Sequence, residues 1–134
     1  MPSIQIESTP LCLYTSHDSG IHEFKYLQPT REGWDACIAL MNQVSRQTPS
    51  TGTVRFLIDA QAGSVPLSYA AHKAREWVKN NPDIPYTHTA VLYVDNLLLR
   101  VAEAMSRSLY SARTSTRFFH ISKRDEALEW LLSR

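Results

Sequence analysis

The densest run of chemistry-bearing side chains in the chain is His17-Asp18-Ser19, which holds the three residue types of a hydrolytic triad. A triad is assembled from distant segments that aim a nucleophile at a base. Three consecutive side chains cannot take up that geometry, and Asp-Ser-Gly is ordinary turn chemistry. The five histidines, His17, His22, His72, His88 and His120, show no H-E-x-x-H pair, so no metal site is expected from them. The four glycines form neither the P-loop nor the G-x-G-x-x-G pattern, which leaves no phosphate cradle of either type.

Two stretches hold recognition chemistry instead. In TVRFLIDAQAGSVPLSYAAHKAREWV, Thr53 to Val78, a β-branched run ends at Asp59, a short polar loop follows, and a helical stripe begins. In open α/β sheets the carboxyl ends of strands carry ligand and partner contacts. Gln61, Gly63, Ser64, Ser68, His72 and Arg75 are therefore the expected partner-binding set, with Asp59 an acceptor for its own loop. None of these hydroxyls has a base beside it that would make it a nucleophile, so no catalytic residue is assigned. From Ala104 to Arg124 the chain has no acid, and Arg100, Arg107, Tyr110 and Arg113 offer a candidate anion-binding surface.

The chain that must position these residues has 134 of them, enough for one domain, with 43% apolar and 20% charged content. A net charge of +1 gives no footprint for nucleic acid, and none is expected as partner. No apolar run approaches the roughly 20 residues of a membrane helix, and MPSIQIEST lacks a secretory h-region, so a cytoplasmic protein is expected. Cys12 and Cys37 stand far apart in different elements, which reads as two buried thiols rather than a disulfide framework or a zinc knuckle.

The elements follow from periodicity. Residues 1–10 form an extension or an extra strand. Leu11–Tyr14 and Ile21–Leu27 make a hairpin around His17-Asp18-Ser19-Gly20, with Glu23 and Lys25 on the wetter face of the second strand. Thr30 caps a helix striped by Trp34, Cys37, Ile38, Met41 and Val44. Val54–Ile58 is a strand covered on both faces. A second helix carries Leu67, Ala70, Ala71, Ala74, Trp77 and Val78 and stops at Asn80-Asn81-Pro82. His88–Val94 is the most apolar strand and precedes a third helix striped by Leu98, Val101, Ala102, Met105 and Leu109. Thr116–Ile121 is the last strand. Ser122 and Asp125 then form a capping box for a final helix that buries Ala127, Leu128 and Leu131. The order ββαβαβαβα predicts one α/β domain with a five-stranded mixed sheet, parallel except for the first strand. Its core is expected to hold Trp34, Ile38, Met41, Phe56, Ile58, Ala74, Trp77, Val91, Leu92, Leu128 and Leu131.

With RFLIDA (Arg55–Ala60) closing a βα unit and RFFHISKRDEALEWL (Arg117–Leu131) closing the chain, the sequence resembles the STAS domains. More narrowly, Glu126-Ala127-Leu128-Glu129-Trp130-Leu131 is similar to the ending of the SpoIIAA-like group, the anti-anti-sigma-factor-like members. The resemblance spans roughly residues 11 to 133. It implies a βα superhelix whose strand order follows chain order, and a regulatory module without cofactor or chemistry of its own. Its partner would be another protein or a second copy of itself. Anti-anti-sigma members carry a phosphorylated serine just after the strand-end aspartate. Here Ala60-Gln61-Ala62-Gly63 intervene, and Ser64 is the displaced candidate phosphosite. The alternative expectation is a domain for a small anionic or lipid-like ligand, held in an apolar pocket with arginine at its mouth.

Overall fold

The fold is that of a computed structural model, which describes residues 6–28, 30–61, 67–94 and 113–134. Strands β1 (Cys12–Ser16), β2 (Ile21–Tyr26), β3 (Thr53–Asp59), β4 (Tyr86–Tyr93) and β5 (Thr114–His120) lie side by side in chain order. Only β1–β2 is antiparallel. Helix α1 (Arg31–Arg46) joins β2 to β3, and α2 (Leu67–Asn80) joins β3 to β4. A short 3-10 turn, Ile121–Lys123, leads into the last helix, α3 (Arg124–Leu132). The helix expected between Leu98 and Leu109 lies outside the described residues.

The pleat sorts side chains onto two faces. Cys12, Phe24, Val54, Phe56, Ile58, Val91 and Tyr93 form one cluster with Cys37, Leu40 and Val44 of α1, and Trp77 of α2 packs against it. Phe24 and Phe56 meet edge-on at its centre, 5.3 Å between ring centroids. Ile21, Leu57, Ala90, Leu92 and Phe119 point the other way and are covered by Ala127 and Leu131 of α3. Phe56, Ile58, Val91, Leu92 and Leu131 are core as expected, whereas Trp34, Ile38, Met41, Ala74, Trp77 and Leu128 are half-buried. In α1 the buried line runs through Gly33, Cys37, Leu40 and Val44, displaced from the expected stripe. At Gly33 a Cβ would collide with the Gln28 carbonyl, so the chain entering α1 folds back against the helix at that position. Thr30 caps α1 as read, its hydroxyl accepting from the Gly33 N–H at 3.0 Å.

Two local expectations are corrected. Ser122 does not cap α3; its hydroxyl is taken by His120 Nδ1 at 2.8 Å, and the helix starts after Lys123 without a side-chain cap. Cys12 and Cys37 are not separate thiols, because β1 lies over the first half of α1, 5.6 Å between Cα atoms, and the two form a disulfide. Linear separation hid a contact that the hairpin creates. The edge of β1 is also managed. Thr9 pairs with the Cys12 backbone, and Ser8 Oγ accepts from the Tyr14 N–H at 2.8 Å. The hairpin turn is as expected, with Gly20 at φ 92°.

Leu131→Ala should destabilise by about 2 to 5 kcal/mol, and Leu128→Ala, on the half-exposed side of the same helix, by less. Urea unfolding of both variants checks the order. Reduction of Cys12–Cys37, which closes a loop of 25 residues, should remove about 3 kcal/mol. Denaturation midpoints that coincide with and without reductant would show that the bond adds nothing.

Candidate functional site

β3 delivers Asp59 to the carboxyl end of the sheet, where the carboxylate is 3% exposed. A buried carboxylate must be fully hydrogen-bonded. Here Oδ1 accepts from the Gln61 backbone N–H at 3.0 Å and Oδ2 from the Gln61 side-chain amide at 2.8 Å. The aspartate thus folds the start of its own loop, as the sequence suggested, and Ala60 N–H bonds the Leu92 carbonyl at 3.1 Å to hold that loop against β4.

Beside this strand end, the first turns of α1 and α2 are fastened together by polar groups. Tyr69 donates its hydroxyl to Asp35, 2.8 and 3.0 Å from the two carboxylate oxygens. Arg31 lies over the Tyr69 ring at 4.8 Å and Lys73 at 5.8 Å. The hydrogen bond to Asp35 holds the Tyr69 phenol above its ordinary range. His72 and Arg75 are exposed on α2, with His72 Nε2 3.3 Å from Glu76. Of the expected partner-binding set, Gln61 stands at this strand end, His72 and Arg75 are exposed along α2, and Ser68 falls within α2. Gly63 and Ser64 lie outside the described residues.

Of the expected anion surface only Arg113 lies among the described residues. Arg113 donates to the Ile84 carbonyl at 2.7 Å and lies over the Tyr86 ring, so it closes the opposite end of the sheet. Arg100, Arg107 and Tyr110 lie outside the described residues. Arg117 lies over Phe119, and Lys123 pairs with Glu126 at 3.6 Å.

A cluster the sequence did not announce occupies the face of β2 that α3 leaves partly open. Glu23 accepts from both nitrogens of the Arg124 guanidinium, at 2.6 and 3.2 Å, and from His17 Nε2 at 2.8 Å. The residues stand 101 apart in sequence, and only the alternation that placed Glu23 on the wetter face hinted at a partner. Burial acts to raise the Glu23 carboxyl, but the hydrogen bonds and charges of Arg124 and His17 outweigh it and hold the group below its ordinary value. A carboxylate clamped this way is a weak base, and the cluster is an anchor for α3.

The remaining hydroxyl–imidazole pairs also fall short of nucleophilic catalysis. His88 Nδ1 is 2.6 Å from Ser115 Oγ, but the charged groups around it are Arg55 and Arg134. Burial first, and then those two cations, lower the His88 pKa, the reverse of what a carboxylate-oriented catalytic histidine requires. His120 donates Nε2–H to the Val94 carbonyl and accepts at Nδ1 from Ser122, so both nitrogens are engaged. Tyr14 donates to His22 at 2.6 Å, and burial, with the charge of His17, lowers the His22 pKa. Among the described residues no group of three or more His, Cys, Asp or Glu side chains could hold a metal ion. No helix among them is long and apolar enough to cross a membrane. Compared with known proteins, the chain matches no family model, no curated protein and no solved structure.

The shifts fix a pH dependence. His22 and His88 have folded pKa values below the ordinary 6.5, so the unfolded chain takes up protons first and stability falls as pH drops below about 6.5. Glu23 has a folded value below 4.5, so its contribution is present above that pH and is lost as pH falls through the folded pKa. Urea unfolding across this range should show both losses, and Glu23→Gln should remove the lower one while leaving the upper. A variant whose acid limb matches the parent below pH 4.5 would show that the Arg124 clamp carries no pH dependence.

Proposed function

We propose that this domain is a non-enzymatic interaction module of the STAS, SpoIIAA-like kind, which regulates or scaffolds by binding another protein or a second copy of itself. The observation that carries the reading is the Asp59–Gln61 pair. The polar residue at the central strand's carboxyl end has both oxygens bonded within its own loop, which supports reading that end as a formed surface. The sheet order β1 to β5 in chain order, with a single antiparallel pair at its start, agrees with the superhelix that the resemblance implies. The contact surface would run from Gln61 across the exposed side of α2 through His72 and Arg75. The Tyr69–Asp35 bond holds the two helix starts in register behind it.

In this reading a phosphate added at Ser64 would add negative charge to the loop that follows Asp59, a local electrostatic change of the sort that remodels a contact. Affinity capture from the native cell with the chain as bait tests the module. His72→Glu combined with Arg75→Glu should reduce recovery of the partner about tenfold, equivalent to about 1.4 kcal/mol. Lys25→Glu, on the other sheet face, should leave it unchanged. Equal recovery with both variants moves the interface elsewhere, and turnover of a metabolite that depends on Ser64 removes the non-enzymatic reading.

A further inference from the structure

Near the amino ends of the strands, on the face that α3 covers, Arg55 of β3, His88 of β4 and Ser115 of β5 stand in one row across the sheet. Neighbouring strands lie about 4.8 Å apart, so the three side chains are immediate neighbours. Each is part-exposed, within reach of a ligand atom. The last turn of α3 meets this row at Arg55, which donates from Nε to the Leu131 carbonyl at 2.9 Å and from Nη2 to the Arg134 carbonyl. Those two bonds offset the negative end of the helix and fix the guanidinium, and they leave Nη1 without a partner among the described residues. His88 Nδ1 is 2.6 Å from Ser115 Oγ, and its Nε2 has no partner among them either. When Ser115 donates to Nδ1 the ring proton sits on Nε2, and in the imidazolium both nitrogens carry one. Arg134 lies over the Trp130 ring at 5.4 Å, and Trp130 meets the His88 ring edge-on at 6.4 Å. No carboxylate side chain among the described residues pairs with Arg55, His88 or Arg134. Glu129 stands about 200° around α3 from the buried Ala127 and Leu131, on the solvent side. Glu23, the acid of β2 on this face, is already held by Arg124 and His17.

We infer that the Arg55–His88–Ser115 row, with Arg134 at its rim, is a binding site for the phosphate group of a small ligand. The groups it offers are two permanent cations and an imidazole that can become a third, with N–H donors on each. A tetrahedral dianion accepts from several such donors at once. A carboxylate brings one charge and two oxygens and satisfies only part of the set, and an ammonium is opposed by all of it. A bound anion favours the charged imidazole, so occupancy raises the His88 pKa from the lowered value that burial and the two arginines impose. The row lies at the other end of the strands from Gln61 and on the other sheet face from α2. It is therefore independent of the surface proposed for protein contacts and stands or falls without it.

The test is an NMR titration of the intact chain with inorganic phosphate, with glycerol 3-phosphate and with acetate, at constant ionic strength in sodium chloride. Concentrations up to about 20 mM are enough to detect a Kd of about 1 mM. The readouts are the His88 ring signals and the Trp130 indole N–H. At least one of the two phosphates should shift both signals saturably and raise the His88 pKa, and acetate should bind at least about tenfold more weakly, since it leaves a charge-assisted hydrogen bond unmade. Tighter binding of the ester marks the ligand as a phosphate monoester, and equal or tighter binding of inorganic phosphate marks it as the free ion. His88→Phe keeps a ring against Trp130 and removes both nitrogens. It should weaken phosphate binding about tenfold, read on Trp130, by the loss of one hydrogen bond to a charged group. Arg134→Gln, at an exposed position, should weaken it about threefold. Lys123→Gln, at the other end of α3, should leave it unchanged. The inference is overturned if neither phosphate shifts the two signals, if acetate binds as tightly, or if Lys123→Gln lowers affinity as much as His88→Phe.

Discussion

β3 and β4 are apolar toward both faces, and a parallel pair of that kind is stable only between two layers. Everything else in the molecule answers that requirement. Strands added in chain order through right-handed crossovers put their helices on one side, where Cys37, Leu40 and Val44 of α1 and Trp77 of α2 meet the sheet. Among the described residues the other side receives only α3, which is nine residues long and so spans about 13 Å. It covers Leu57, Ala90, Leu92 and Phe119 but does not extend across β1 and the second half of β2. The second face of the hairpin is therefore left to Glu23 and Lys25, with Leu13 45% exposed. The Glu23–Arg124–His17 cluster is the electrostatic counterpart of that short cover: it ties the start of α3 to the strand beyond its reach.

The hairpin, being the least covered part of the sheet, is held by other means. The disulfide ties β1 to α1 on the inner face, and Ser8 and Thr9 occupy the outward hydrogen-bonding positions of the edge strand. Disulfides persist in oxidising surroundings and are rare in reducing ones. The joined Cys12 and Cys37 replace the expectation of two cytosolic thiols with a covalent element of the fold.

Regular elements were legible because they are written in local periodicity: the alternation of His22, Glu23, Phe24 and Lys25, the double-faced run in β3, and the apolar recurrence of α1 all have the period of their structure. Which residues of α1 face the sheet was read a fraction of a turn off, toward Trp34 and Ile38. Apolar side chains attract that choice, while the buried line begins at Gly33, where the Gln28 carbonyl leaves no room for a Cβ. Asp59 could be assigned from its position alone. The Cys12–Cys37 pair, the Arg124–Glu23 clamp and the Arg55–His88–Ser115 row could not. Each joins elements whose juxtaposition exists only after the sheet has formed.

The match between strand order and chain order also has a kinetic side. No described strand is inserted between two that are already paired, so each pairing closes a loop of modest length and neighbouring pairings add on in turn. As the chain emerges during synthesis, β2 can dock on β1, β3 on β2 and β4 on β3 before the following strand is made. Among the described residues the cover of the second face comes from α3, which follows all five strands in the chain. Until it docks, Leu57, Ala90 and Leu92 lack the cover that Ala127 and Leu131 give them, and exposed apolar surface of that kind opens a nascent chain to misassociation.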